Sequence, residues 1–135
     1  MLNLRRGALT WVPRGLVLFA LAGCSAFCSD TAISVVPPNV GSGPVTFEAK
    51  LTSGGDPVAG ARLDFYILAK GANGEEGHLA GQGTTGGDGV ARVVVDRSSL
   101  DRPGATLSAV EVTFDSLAEI NGEHFCESKA RVSLP

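Results

Sequence analysis

The sequence predicts an all-β fold: a two-sheet sandwich of about seven short strands, preceded by a signal peptide. Three observations carry that prediction. From residue 32 onward apolar side chains recur with a period of two, as they do in strands buried on one face. Clusters of Gly, Asp, Asn and Pro stand between the runs, where tight turns are needed. No stretch has the 3.6-residue apolar period of an amphipathic helix.

The elements follow in order. A first strand is expected over 32–36, stopped by Pro37-Pro38. In the second, Val45, Phe47, Ala49 and Leu51 alternate with Thr46, Glu48, Lys50 and Thr52, and Ser53-Gly54-Gly55-Asp56-Pro57 turns the chain. Leu63, Phe65, Ile67 and Ala69 form the inner side of a third strand, and a loop is expected over 71–77. Residues 79–83 read as a weak, glycine-rich edge strand, and Thr85-Gly86-Gly87-Asp88-Gly89 as a turn. Ala91, Val93 and Val95 share one parity of the next strand, with a crossover over 97–104. Ser108, Val110, Val112 and Phe114 share one parity of the sixth strand, and Cys126, Ser128, Ala130, Val132 and Leu134 one parity of the last. Between these two lies a loop over 115–123. Its Asn121-Gly122 is a two-residue hairpin signal, and Ser116-Leu117-Ala118-Glu119 fits a capping box for one helical turn.

The first 23 residues do not read as domain. Arg5, Arg6 and Arg14 are the only charges before Asp30, and Gly15 to Gly23 is an uncharged run. That is the layout of a secretory signal peptide, and the run falls well short of the roughly 20 residues of a membrane-spanning helix. Arg5-Arg6 matches a twin-arginine signal only in part, so the general secretory route is expected. The run ends in Leu21-Ala22-Gly23-Cys24, which resembles the lipobox of bacterial lipoproteins. The resemblance implies cleavage before Cys24, a diacylglycerol thioether on that cysteine, and anchoring to the cell membrane or outer membrane. Several acyl chains hold a protein stably where one is marginal, at about 0.8 kcal/mol per buried methylene. The division is then a leader over 1–23, a tether over 24–31 and a sandwich domain over 32–135.

Loss of the leader removes three arginines and no acid. Eight basic side chains then face fourteen acidic ones, a net charge of about −6. Such a balance argues against nucleic acid and against attraction to anionic headgroups, both of which need basic clusters. With Cys24 lipidated, Cys28 and Cys126 are an even pair in an oxidising compartment, and a disulfide between them is expected; the alternative is two buried thiols.

Three segments resemble the bacterial Ig-like domains repeated in invasins and intimins. They are Pro57-Val58-Ala59-Gly60-Ala61-Arg62-Leu63-Asp64-Phe65, then Thr85-Gly86-Gly87-Asp88-Gly89-Val90-Ala91-Arg92-Val93, and last the stretch from Asn121 to Ala130. The similarity spans about residues 32–134 and implies an Ig-like sandwich. In such folds the first and last strands run parallel side by side, which would bring Cys28 near Cys126. These motifs are structural and carry little about function. A single copy makes no adhesin stalk, and the antibody-type pattern of two core cysteines around a tryptophan is absent.

Catalytic and ligand chemistry is sparse. Gly81-Gln82-Gly83-Thr84-Thr85-Gly86 spells a dinucleotide fingerprint, but a β-run follows where a helix is required. His78 and His124 are the only histidines, 46 positions apart, with no ligand spacing. No catalytic residue, metal or cofactor is therefore expected. Asp115, Leu117, Glu119, Ile120, Glu123 and His124 form the candidate binding loop, since loops at sandwich ends commonly carry recognition. The alternative is a solvated hairpin with its apolar residues folded back. The function expected is a lipid-anchored, non-catalytic interaction or structural module of the cell envelope, with a protein or glycan partner. The alternatives are a polysaccharide- or peptidoglycan-binding module and an inhibitor or accessory subunit of an envelope enzyme.

Overall fold

The computed structural model describes residues 27–115 and 119–135. The expected leader, Cys24, and Ser116, Leu117 and Ala118 of the expected capping box lie outside the described residues.

Alternation decides the core. In β2 (Val45–Ser53), Val45, Phe47, Ala49 and Leu51 are all buried, and in β4 (Arg62–Gly71) so are Leu63, Phe65, Ile67 and Ala69. Strands β1 (Ala32–Val36) and β6 (Val90–Val95) flank β2 antiparallel. The two-residue β3 (Asp56–Pro57) folds back on the end of β2 and completes the first sheet. The second sheet has the order β5-β4-β7-β8, all antiparallel, with β5 (Gly74–Thr84), β7 (Thr106–Phe114) and β8 (Ser128–Ser133). The inner faces meet in one core, where Phe47 of one sheet packs on Phe65 of the other with ring centroids 6.3 Å apart.

The sheets close on each other along both sides. On one side Gly81 and Gly83 of β5 face Val93 of β6. A Cβ on Gly81 would sit 2.5 Å from Val93 Cγ1, so only glycine lets the two strands approach this closely. The dinucleotide-like glycines are thus packing residues at a sheet corner. On the other side the chain ahead of β1 runs parallel to the chain ahead of β8. The Ser29 N–H donates to the His124 carbonyl at 2.9 Å, and the Cys126 N–H to the Ser29 carbonyl at 2.8 Å. The Cys28–Cys126 disulfide lies against this bridge, with Cα atoms 5.0 Å apart. The Thr31 hydroxyl adds a bond to the Cys126 carbonyl at 2.7 Å.

Several expectations are corrected. The sandwich has eight strands among the described residues rather than about seven, because the sequence gives no signal for the two-residue β3. No loop spans 71–77: β4 and β5 pair up to Gly71 and Gly74, leaving Ala72-Asn73 as a two-residue turn. Strand β5 is consequently twice as long as the glycine-rich run alone suggested. It is an edge strand, as expected. Leu68 is buried against the alternation because the β4–β7 register shifts between Leu68 and Ala69 and Gly77 lies over its Cδ2. The 97–104 crossover contains a short 3₁₀ helix, Arg97–Leu100, which buries Leu100.

This topology gives the sandwich two poles. At the entry pole lie Cys28, the 53–57 turn, Gly60 and the 119–124 hairpin. At the far pole lie the 37–44 loop, the Ala72-Asn73 turn, the 97–105 crossover and Leu134-Pro135.

Candidate functional site

The candidate loop folds as the Asn121-Gly122 signal requires. Asn121 has φ 53° and Gly122 φ 80°, the left-handed pair of a type I′ turn. Ile120 and Glu123 exchange both backbone hydrogen bonds at 3.0 Å. The Ile120 side chain turns inward onto the core and lies 3.6 Å from where a Cβ on Gly60 would be. Glu123 accepts the Ser29 hydroxyl at 2.7 Å, and His124 Nε2 stands 3.1 Å from Glu119. Leu117 lies outside the described residues. Asp115 is exposed at the end of β7.

The structure therefore brings Asp115, Glu119 and Ile120 together with Gly60, Arg62, Asp64 and Phe114 around a hollow of about 360 Å³. It uses Glu123 and His124 to stitch the hairpin to the N-terminal segment. The loop's acids are thus partly committed to local bonds and its one described apolar residue to packing. Phe125 is buried beside the disulfide and belongs to the core.

The two histidines do not meet. His78 pairs with Ile67 in the β4–β5 hairpin, 3.8 Å from Glu76, whereas His124 sits at the entry pole. Among the described residues, no three of His, Cys, Asp and Glu gather as a metal site would require. The pKa shift that stands out is at Glu75 on the outer face of the second sheet. Paired hydrogen bonds from Arg131, both 2.9 Å, and then one from the Ser108 hydroxyl at 2.6 Å, hold its carboxyl below the ordinary value. The same contact raises Arg131. Such a pair ties β5 to β8 across the sheet and is structural.

A larger hollow lies elsewhere, at the far pole, with a volume of about 620 Å³. Its floor is Val40, Leu100, Leu107 and Leu134, and Arg97 and Arg102 stand on its walls. Arg97 pairs with Asp101, and Arg102 Nη1 donates to the Ser99 and Asp101 carbonyls at 3.0 and 2.9 Å. Sequence reasoning missed this cleft. Its walls come from three segments far apart in the chain, 38–40, 97–107 and 134–135, and only the Pro37-Pro38 and Pro103-Gly104 turns hinted that backbone would cross there.

The fold defines an all-β, Ig-like two-sheet sandwich with a disulfide at the entry pole. It is similar to MtrC from Shewanella baltica OS185, with a TM-score of 0.51 and 16% sequence identity. The match covers 76% of this chain and 21% of that one, so the present chain spans about a fifth of that protein's length. At that identity the likeness shows the fold alone. No known family and no curated protein matches the sequence.

Proposed function

We propose that the protein is an exported lipoprotein, cut before Cys24 and held to a membrane by lipid on that residue, whose sandwich acts as a non-catalytic interaction or structural module of the cell envelope. The observation that carries this reading is the Cys28–Cys126 bond. Structural disulfides persist in exported proteins and are rare in a reducing cytoplasm. The basic-then-apolar leader and the Leu21-Ala22-Gly23-Cys24 lipobox supply the matching route and anchor. The net negative mature chain suits a partner other than nucleic acid.

The anchor is tested by growth with labelled palmitate. Label is expected on the wild-type chain and absent from Cys24→Ser; label persisting on the variant contradicts the anchor. The module reading is tested by cross-linking in intact envelopes, where an envelope protein or glycan is expected in the captured adduct. A hydrolytic activity abolished by His78→Ala or His124→Ala would overturn it.

A further inference from the structure

We infer that the membrane-bound protein stands on its disulfide pole, with the bilayer surface as the partner of that pole and the far-pole cleft turned away from it. The inference rests on the anchor proposed above and adds an orientation to it.

The chain enters the domain at one fixed point. Cys28 is bonded to Cys126, and Ser29 is hydrogen-bonded on both sides to the chain ahead of β8, so the polypeptide is immobilised from residue 28 onward. Cys24 precedes that point by four residues. At roughly 3.4 Å per extended residue, the Cα of Cys24 can stand no farther than about 14 Å from that of Cys28. Strand β4 runs pole to pole over 10 residues, which is about 33 Å at a strand's rise. The tether is therefore less than half the length of the sandwich, and the far pole cannot reach the bilayer while the domain stands upright.

Two surface features favour standing over lying flat. The outer faces of both sheets carry ion pairs, Glu48 with Arg92 on the first and Glu75 with Arg131 on the second, and these lose hydration against lipid. Phe27, 86% exposed, is by contrast a bare aromatic ring within the tether, and aromatic rings suit the membrane–water boundary. The remaining loops of this pole contribute Asp30, Asp56, Asp115, Glu119 and Glu123, which offer no attraction to anionic headgroups. Covalent lipid and Phe27, rather than charge, then hold the pole down. The consequence is that the 119–124 hairpin faces the membrane, and the surface offered to soluble partners is the cleft floored by Leu100 and Leu107.

The test uses the lipidated mature protein in phosphatidylcholine vesicles carrying a nitroxide on the headgroup. The sole tryptophan, Trp11, lies in the leader, so single-tryptophan reporters need no background correction in the mature chain. Asp56→Trp, in the two-residue β3, reports the disulfide pole and Ala72→Trp, in the β4–β5 turn, the far pole; both replace exposed residues. The expected result is loss of emission from Asp56→Trp on adding the nitroxide lipid, with Ala72→Trp unchanged. Equal quenching of both, quenching of Ala72→Trp alone, or quenching of neither overturns the orientation. Intact mass measured on the same samples separates the two levels. Lipid present with the wrong quenching order rejects the orientation only; a mass without lipid rejects the anchor, and the orientation falls with it.

Discussion

The Thr85 hydroxyl donates to the Val58 carbonyl oxygen at 2.6 Å, and its oxygen accepts the Ala61 N–H at 2.9 Å. Thr85 is the one buried polar side chain among the described residues, and it is fully used. Its backbone doubles the link: the Gly60 N–H donates to the Thr85 carbonyl, and the Thr85 N–H to the Ala61 carbonyl, both at 2.8 Å. The two segments that resemble Ig-like domains, 57–65 and 85–93, are thus the two halves of one clasp. Gly60, at φ 79°, supplies the left-handed turn that aims Val58 and Ala61 at Thr85.

Replacing Thr85 by Val keeps the shape and strands a buried carbonyl and a buried N–H. At about 1–3 kcal/mol per unsatisfied group, Thr85→Val is expected to lower unfolding stability by about 2–4 kcal/mol. Thr85→Ser, which keeps the hydroxyl, should lose about 1 kcal/mol or less. Urea unfolding of the two variants checks this; equal losses would mean that the methyl group, not the hydroxyl, matters.

The disulfide closes a chain segment with a separation of 98 residues. In the chain-entropy model such a loop stabilises by roughly 4–5 kcal/mol. The double variant Cys28→Ala/Cys126→Ala should show that loss in urea unfolding, and added reductant should reproduce it in the wild type. An unchanged midpoint in both would contradict the staple's role.

At the sheet corner, a side chain on Gly81 has nowhere to go. Gly81→Val should destabilise by about 1–3 kcal/mol through overpacking against Val93. Val93→Ala in the same chain should restore part of the loss, leaving a favourable coupling in the double-mutant cycle. Strictly additive losses would show that the contact with Val93 is not the cause.

Glu75 gives a pH signature. Arg131 and Ser108 lower its carboxyl in the folded protein, so the folded state binds its proton less readily than the unfolded chain does. The resulting stability is fully present above the unfolded-state value, ordinarily 4.5, and is lost as pH falls through the lower folded-state value. Glu75→Gln should flatten the acid limb of a stability-versus-pH curve. An unaltered limb would place the acid sensitivity elsewhere.

Most of the fold was legible because alternation reports burial directly: the inward parities of β2 and β4, and of Val110, Val112 and Phe114 in β7, match the buried residues, whereas Ser108 turns to Glu75 on the outer face and Ala109 is buried out of phase beside the β4–β7 register shift. The turn at Asn121-Gly122 was legible because only a few residue types accept positive φ there. What escaped was set by tertiary contact. Glu75 and Gly77 break the alternation of β5, since Glu75 reaches across the sheet to Arg131 and Gly77 leaves room for Leu68. Phe125 carries no local sign of burial, as its cover is the parallel bridge to Ser29. Within the candidate loop, the residue types were visible but not their commitments: Glu123 to Ser29, Ile120 to the core. The far-pole cleft has no sequence signature, because it exists only where three distant segments converge.

The covalent fate of position 24 decides whether the protein is anchored, and intact mass spectrometry of the chain purified from envelopes reads it directly. The prediction is a polypeptide that starts at Cys24 and is heavier than residues 24–135 by a diacylglycerol, with or without a further acyl chain, and two hydrogens lighter for the Cys28–Cys126 bond. A chain that begins at Met1, or one whose mass is that of unmodified residues, would contradict it.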